Sequence, residues 1–251
     1  MHFVGLGHSH IVALAKGAYA LAAKGTDLKE PVTCSFSYLY DPPFQPQFES
    51  EGGVLNRRIL EAASRGSPSF ILASMGGNEH NVLSIQQSSS RYDFILAENP
   101  DLPLDENAQI LPESVIRETL WFWMREKIQV LTALRTVTSL PIYQIEPPPP
   151  LPRERVLAYP KEFFRTVFDR LSMSSDVLRH KMWRVQTSIY REVCANNQIE
   201  YVPVSSAMID DSGMLIPALC GEDASHANPI FGEAMVREVL RRHILAHREA
   251  T

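Results

Sequence analysis

An aspartate and a histidine lie three residues apart near the end of the sequence, where Asp223 and His226 enclose the dipeptide AS. An imidazole takes a proton from a hydroxyl, and a carboxylate on its other ring nitrogen fixes its tautomer and stabilises its charged form. A serine beside such a pair becomes a nucleophile, because a hydroxyl attacks poorly until a base removes its proton. The pair therefore indicates acyl transfer, provided that the fold brings a serine to it.

Two further polar stretches contain the missing groups. Ser9 lies in GHSH, directly after an apolar run, and Asn78 lies in GGNEH, after another apolar run. Acyl transfer develops negative charge on an oxygen, and this oxyanion requires donors fixed in advance, such as backbone N–H groups or an asparagine side chain. Together the three stretches supply a nucleophile, an oxyanion donor and a general base with its carboxylate.

Strand-like and helix-like segments alternate along the chain. Strands are predicted at residues 2–7, 32–40, 69–75, 140–145 and 199–204. Helices are predicted at residues 11–23, 54–64, 81–89, 112–138, 176–196 and 228–247. This alternation predicts an α/β fold, a three-layer α/β/α sandwich around a central, mostly parallel five-stranded sheet. The three polar stretches are then expected to meet at one edge of the sheet, where such folds bind ligands.

Composition narrows the function classes. Hydrophobic residues make up 45% of the chain, which is ordinary for a soluble domain. The formal net charge is -5, whereas a general nucleic-acid binder has a basic surface. No stretch is long enough to span a bilayer, the N-terminus lacks a signal-peptide pattern, and the three cysteines have no metal-ligand spacing. We expect a cytoplasmic protein that binds neither nucleic acid nor membrane. One domain over residues 1–251 is predicted, with irregular, substrate-shaping segments around 91–112 and 147–175.

The order and spacing of the three stretches, which cover nearly the whole chain, resemble the SGNH (GDSL-like) hydrolase superfamily. Its members are esterases, lipases, carbohydrate acetylesterases and some O-acyltransferases on a flavodoxin-like α/β/α fold. The resemblance implies that Ser9 is the nucleophile, that His226 is the base and that Asp223 is its partner. It also implies that Ser9 and Asn78 donate to the oxyanion.

The resemblance carries two further expectations. A glycine block after the family's second strand lends another oxyanion N–H, and Gly52 or Gly53 is its match here. The usual first block has an aspartate before the serine, whereas this sequence has a histidine there and a second histidine after it, as in a GxSH branch. The neighbours of the blocks are predicted to contact the substrate: His8, His10, Gly77 and His80.

Structural interpretations compete with these roles. Ser9, Asn78 and Asn228 each stand before a predicted helix and are suited to cap it. The DxxH pair is compatible with a solvated turn. His8 and His10 form an HxH pair that is compatible with a metal site, although an early Asp-x-His signature is missing.

The sequence thus favours a serine esterase that removes an O-acyl or O-acetyl group from a small-molecule or carbohydrate ester. No cofactor and no metal are expected, and the oligomeric state stays open. The alternatives are an O-acyltransferase that uses the same residues, a catalytically silent binding protein with this fold, and a metal-dependent phosphoesterase.

Overall fold

The structure, a computed structural model, describes residues 1–24, 31–49, 53–87, 90–159 and 172–249. The strands within these ranges are β1 (His2–Gly7), β2 (Thr33–Tyr38), β3 (Phe70–Ser74), β4 (Gln86–Gln87), β5 (Tyr92–Asp93), β6 (Gln109–Ile110), β7 (Ile142–Ile145), β8 (Ser172–Met173) and β9 (Glu200–Val202). The α-helices are α1 (Ile11–Lys24), α2 (Arg57–Ala63), α3 (Glu79–Ser84), α4 (Glu113–Val137), α5 (Arg153–Ala158), α6 (Asp176–Asn196) and α7 (Pro229–Glu249). Short 3₁₀ helices lie at Pro42–Phe44, Ser206–Met208 and Pro217–Leu219. None of these helices has the length and apolarity needed to cross a membrane.

Five of the strands form one sheet in the order β2-β1-β3-β7-β9, and every pair in it is parallel. Gly7 at the end of β1 lies opposite Tyr38 of β2 on one side and Ser74 of β3 on the other. The chain leaves β1 in one direction to form β2 and returns in the other direction to form β3. Such a reversal opens a crevice at the carboxyl edge of the sheet. The predicted parallel five-stranded sheet is confirmed.

Both faces of the sheet are covered by helices, because the strands are apolar on both faces. In β3, FILAS, every residue is buried. Phe70 and Leu72 pack in a cluster with residues of α1 and α7, whereas Ile71 and Ala73 pack in a second cluster with residues of α4 and α6. This alternation follows from the two-residue period of a strand. The predicted three-layer α/β/α architecture is confirmed.

The two helices that follow the candidate site residues, α1 and α7, pack against each other at unusually close range. The contact is made by Gly17 of α1 and Gly232 of α7. A methyl group on Gly232 would overlap the backbone of Ala13, and one on Gly17 would overlap the backbone of α7. The absence of side chains at these two positions therefore sets the distance between the N-termini of the two helices.

The segments predicted to be irregular are partly ordered. Within 91–112, β5 and β6 form a short parallel pair, and the segment is anchored to α6 by buried Lys181. Its ammonium donates to Asp93 Oδ1 at 3.0 Å and to the carbonyl of Pro103 at 2.8 Å. The segment 147–175 contains α5 and β8, while its residues 160–171 lie outside the described ranges.

The last strand of the sheet is shorter than the predicted 199–204, because a side chain replaces its final ladder bond. β9 ends at Val202, and Pro203 has no N–H to continue the pairing. The next N–H, that of Val204, donates to Glu146 Oε2 at 2.6 Å. The strand predicted from the sequence therefore ran two residues beyond the last residue that pairs in the sheet.

Candidate active site

The DxxH stretch forms a tight turn in which one carboxylate binds three donors. Asp223 Oδ2 lies 2.8 Å from His226 Nδ1, and Asp223 Oδ1 accepts the backbone N–H groups of Ser225 and His226, each at 2.8 Å. The carboxylate thus holds both the imidazole and the backbone that carries it. A proton on Nδ1 leaves the lone pair on Nε2. His226 Nε2 is buried and has no hydrogen-bond partner among the described residues.

The Asp223 carboxyl is held in its ionised form. Burial raises its pKa, but the hydrogen bond and charge of His226 and the two backbone donors together outweigh burial and keep the pKa well below its usual value. Asp223 is therefore a carboxylate throughout the neutral range, so it fixes the tautomer of His226 and favours an imidazolium if one forms.

Ser9 lies between the end of β1 and the start of α1 and lines the same cavity as His226. The cavity has a volume of about 590 Å³. Within the described ranges the Ser9 hydroxyl makes no hydrogen bond, so it does not cap α1; only the Ser9 carbonyl bonds to the helix, at Val12 N. Ser9 and His226 thus line one cavity, and neither the Ser9 hydroxyl nor His226 Nε2 has a hydrogen-bond partner among the described residues.

Asn78 begins α3 but does not cap it with its side chain. Its Nδ2 donates to Ser225 Oγ at 3.2 Å, and its Oδ1 accepts from Asn81 Nδ2 at 2.8 Å. Ser225 lies inside the DxxH turn, so the side chain of Asn78 is directed to the loop that carries His226. The capping interpretation is wrong for Asn78. It is confirmed for Asn228, whose Oδ1 accepts from Ile230 N at 2.9 Å.

His10 also lines the cavity, with its ring 4.9 Å from that of His226. Burial, together with the neighbouring His226 and His80, holds the pKa of His10 well below its usual value, so the ring is neutral. The ring rests on Gly77, where a Cβ would lie 2.7 Å from His10 Cδ2 and where φ is +112°. A side chain at position 77 would therefore strain the backbone and overlap the ring of His10. The N–H of Gly77 donates to Glu79 Oε2 at 2.8 Å.

His8 and His80 do not line the cavity with Ser9. His8 Nδ1 accepts the N–H of Gly76 at 3.0 Å, and Nε2 lies 2.7 Å from the amide of Gln47. Burial and nearby Lys127 lower the pKa of His8 to about 4. Both ring nitrogens are thus used to join β1 to the two neighbouring loops. This placement does not support the predicted substrate contact of His8.

His80 is fully buried and shares the side-chain oxygen of Gln186 between its backbone N–H, at 2.6 Å, and its Nδ1, at 3.3 Å. Burial lowers its pKa to about 3, so this ring too is neutral. Its contacts are with α6 and not with the cavity that Ser9 lines. The predicted substrate contact of His80 is likewise unsupported.

The predicted glycine donor is not found at the site. Gly53 lines a different cavity, together with Gln129, Thr136 and Asn197. Asn197 ends α6 just before β9 begins, so this cavity lies towards the amino edge of the sheet, opposite Ser9. Gly53 is therefore not an oxyanion donor in this arrangement. Gly52 lies outside the described ranges.

Several residues of the site were not predicted from the sequence. They are Lys16, Tyr38, Arg155 and Ser225, of which the first three line the cavity. Lys16 could have been predicted from the sequence, because residues 9, 12, 13 and 16 follow the spacing of one helix face. Ser225 stands between the two residues that were predicted. Tyr38 and Arg155 come from distant segments that nothing in the sequence connects to Ser9.

The described residues contain no group of three or more His, Cys, Asp or Glu side chains placed to hold a metal ion. Of the HxH pair considered for a metal site, His8 bonds to Gly76 and Gln47, and the His10 ring packs against Gly77.

Comparisons with solved structures identify the class of fold. The chain is similar to a protein from Streptococcus pneumoniae provisionally named a platelet activating factor, at 14% identity, with a TM-score of 0.51 over 96% of this chain and 83% of that one. It is also similar to a Bacteroides fragilis protein provisionally named an acylhydrolase, at 12% identity, with a TM-score of 0.50 over 98% and 87% of the two chains. A GDSL-like lipase from Bacteroides thetaiotaomicron matches at 13% identity and a TM-score of 0.48, over 100% of this chain and 89% of that one.

The chain therefore shares the α/β/α fold of these proteins, which is the architecture that the resemblance implied. Identities this low concern the fold and not the reaction. A scan against models of protein families finds no match, and a search of curated proteins finds none either.

Proposed function

We propose that the chain is a serine esterase that removes an O-acyl or O-acetyl group from a small-molecule or carbohydrate ester. The observation that carries this proposal is the pairing of Asp223 with His226 Nδ1 in a cavity that Ser9 also lines. His226 Nε2 and the Ser9 hydroxyl have no partner among the described residues, so neither group is held in another hydrogen bond there. Catalytic hydrogen bonds of this kind often form only when substrate is bound.

In the proposed reaction Ser9 Oγ attacks the ester carbonyl while His226 Nε2 takes the hydroxyl proton. The carbonyl oxygen becomes an oxyanion, and the Ser9 backbone N–H and the Asn78 amide are its proposed donors. The Asn78 amide carries two hydrogens, of which Ser225 Oγ accepts one. The other has no acceptor among the described residues, although Asn78 itself does not line the cavity of Ser9.

The tetrahedral intermediate then collapses, and the ester C–O bond breaks as His226 returns its proton to the leaving alcohol. The product is an acyl-enzyme on Ser9. A water molecule that loses its proton to His226 Nε2 attacks this second ester, releases the acid and restores Ser9. Asp223 keeps its negative charge in both steps and offsets the positive charge of the imidazolium.

The proposal is tested by a panel of p-nitrophenyl esters of increasing acyl length, with and without a serine-directed phosphonate. The expected result is hydrolysis of at least one short ester and a phosphonate adduct that mass spectrometry locates on Ser9. Ser9→Ala should lower kcat by a factor on the order of 10³ or more. Ser206→Ala is the matched control, because Ser206 is exposed and is not among the residues that line the cavity. Turnover by Ser9→Ala close to that of the unmodified protein would refute the serine mechanism.

Chelation separates this reaction from the metal-dependent alternative. A metal-dependent phosphoesterase loses its activity with EDTA and regains it with added Mn²⁺ or Zn²⁺. We expect the esterase activity to be unchanged by EDTA. Reversible inhibition would instead direct attention to the histidines around GHSH.

A further inference from the structure

The structure assigns a substrate class to the cavity: we propose that it binds esters that carry an anionic group, a carboxylate or a phosphate, held by Arg155 and Lys16. This inference rests on the proposed function, because it concerns the substrate of the same site. Both cations line the cavity together with Ser9 and His226.

Arg155 comes from α5 and is half-buried at the cavity wall. Its Nη2 donates to the carbonyl of Gly221 at 2.9 Å, and its guanidinium lies over the ring of Tyr159 at 4.8 Å, so two contacts orient the group. Its Nε is buried and has no acceptor among the described residues. A buried donor without an acceptor is costly, and a ligand oxygen that accepts its hydrogen removes that cost.

Lys16 lies on α1 and lines the cavity together with Val12 and Ala13 of the same helix and with Ser9, which precedes the helix. Lys16 follows the first helical residue, Ile11, by five positions, which corresponds to a rise of about 8 Å along the helix axis. Within the described ranges Lys16 forms no ion pair. It is therefore a cavity-lining cation that no acidic side chain of the described residues neutralises.

In the described part of the chain, no ion pair joins an acidic residue of the cavity to either of these cations. Asp223 is bound to His226 Nδ1 and to two backbone N–H groups. Glu222 is exposed and forms no ion pair with Lys16 or Arg155 in the described part of the chain. The cavity thus presents an arginine fork and a lysine ammonium, groups that bind carboxylates and phosphates. Because Lys16 lies more than one helical turn beyond the start of α1, an anion bound by Lys16 and an ester carbonyl at Ser9 belong to separate parts of the substrate.

The test compares pairs of p-nitrophenyl esters whose acyl chain ends in a carboxylate or in the uncharged carboxamide of the same length, over a series of chain lengths. A second set carries the same pair of end groups on the alcohol side of an acetate ester. In one of the two sets we expect kcat/KM to be higher for the charged ester by a factor on the order of tenfold. The factor should be largest at the chain length that spans the distance to Lys16.

The variants are Lys16→Gln and Arg155→Gln, and the readout is the ratio of kcat/KM for the charged and the uncharged ester. Each variant should move this ratio towards one, whereas Arg155→Lys should retain part of the preference because it keeps the charge. Arg65→Gln is the control, since it makes the same change in net charge at an exposed residue outside the cavity lining. A ratio of one or less in both sets for the unmodified protein, or a ratio that neither cavity variant changes, would overturn the proposal.

A binding measurement keeps this test separate from that of the esterase activity. Amide analogues of the same compounds are titrated into the protein by calorimetry, because no turnover is required. The charged amide should bind about tenfold more tightly than the uncharged one, and both cavity variants should reduce the difference. Equal affinities would refute the anionic site. Absence of ester hydrolysis with a retained binding preference would refute the esterase and leave the anion site in place.

Discussion

Replacement of Asp223 by asparagine should inactivate the proposed enzyme by reversing the tautomer of His226. Oδ1 of the carboxylate accepts two backbone N–H groups, those of Ser225 and His226, each at 2.8 Å. An asparagine must place its oxygen there, because the amide nitrogen cannot accept. Its NH₂ group then faces His226 Nδ1, where Oδ2 lay at 2.8 Å. A donor at this position requires an acceptor on Nδ1, so the ring proton moves to Nε2 and the base is lost.

The expected loss follows from this change of tautomer. An equivalent substitution in a Ser-His-Asp triad lowers kcat about 10⁴-fold, which corresponds to about 5 kcal/mol of transition-state stabilisation. We expect a loss of that size for Asp223→Asn in a p-nitrophenyl ester assay. The turn itself should survive, because both backbone donors keep their acceptor.

Asp223→Ala provides the contrast. Either tautomer of His226 is then open, so the alanine variant should retain more activity per folded molecule than the asparagine variant. It should nevertheless be less stable, because two backbone N–H groups lose their acceptor at roughly 1–3 kcal/mol each if they stay buried. Urea titrations and kcat/KM measured on the same preparations separate the two effects. An asparagine variant that is more active than the alanine variant would refute the tautomer argument.

Three further predictions concern the oxyanion, the helix contact and acid stability. Asn78→Ala should lower kcat by roughly 10²–10³ with a smaller change in KM; a change in KM alone would make Asn78 a binding residue. Gly232→Ala should cost about 1–3 kcal/mol in urea unfolding and reduce activity in the folded fraction, because α1 and α7 must separate; unchanged stability would contradict the close contact. Burial depresses the pKa of His8, His10 and His80, so the unfolded chain binds more protons below pH 6.5. Stability should therefore fall as pH drops from 6.5 towards 4, by up to about 1.4 kcal/mol per pH unit for each histidine; a flat profile by urea titration would show that the histidines are not buried and neutral.

The sequence predicted the parts of the fold and site that depend on local pattern. Alternating strands and helices determine a parallel sheet, and the residues that follow parallel strands must share an edge. Ser9 and Asn78 were placed correctly at that edge for this reason. The DxxH pair was equally predictable as a unit, because three residues of turn suffice to bring Asp223 to the ring of His226.

The remaining site residues depend on contacts between distant segments, which local pattern does not contain. His8 stands beside Ser9 in the sequence, yet its partners are Gly76 and Gln47, and these turn its ring away from the cavity. Gly53 was assigned from its place after the second strand, but it lines a different cavity, with Thr136 and Asn197. Arg155 reaches the cavity through the placement of α5, which no pattern near Ser9 indicates.

The placement of Ser9 and His226 before two helices gives Asp223 a specific electrostatic task. The N-terminus of a helix favours negative charge and disfavours positive charge, by about 0.3–1 kcal/mol at exposed sites. An oxyanion formed at Ser9, just before α1, gains from this field, whereas an imidazolium at His226, just before α7, is opposed by it. The Asp223 carboxylate at 2.8 Å from Nδ1 is the group that offsets the opposition. Because Gly17 and Gly232 fix the two helices at close range, both fields act within one cavity, and in the proposed mechanism we expect the base to function there only while its carboxylate is ionised.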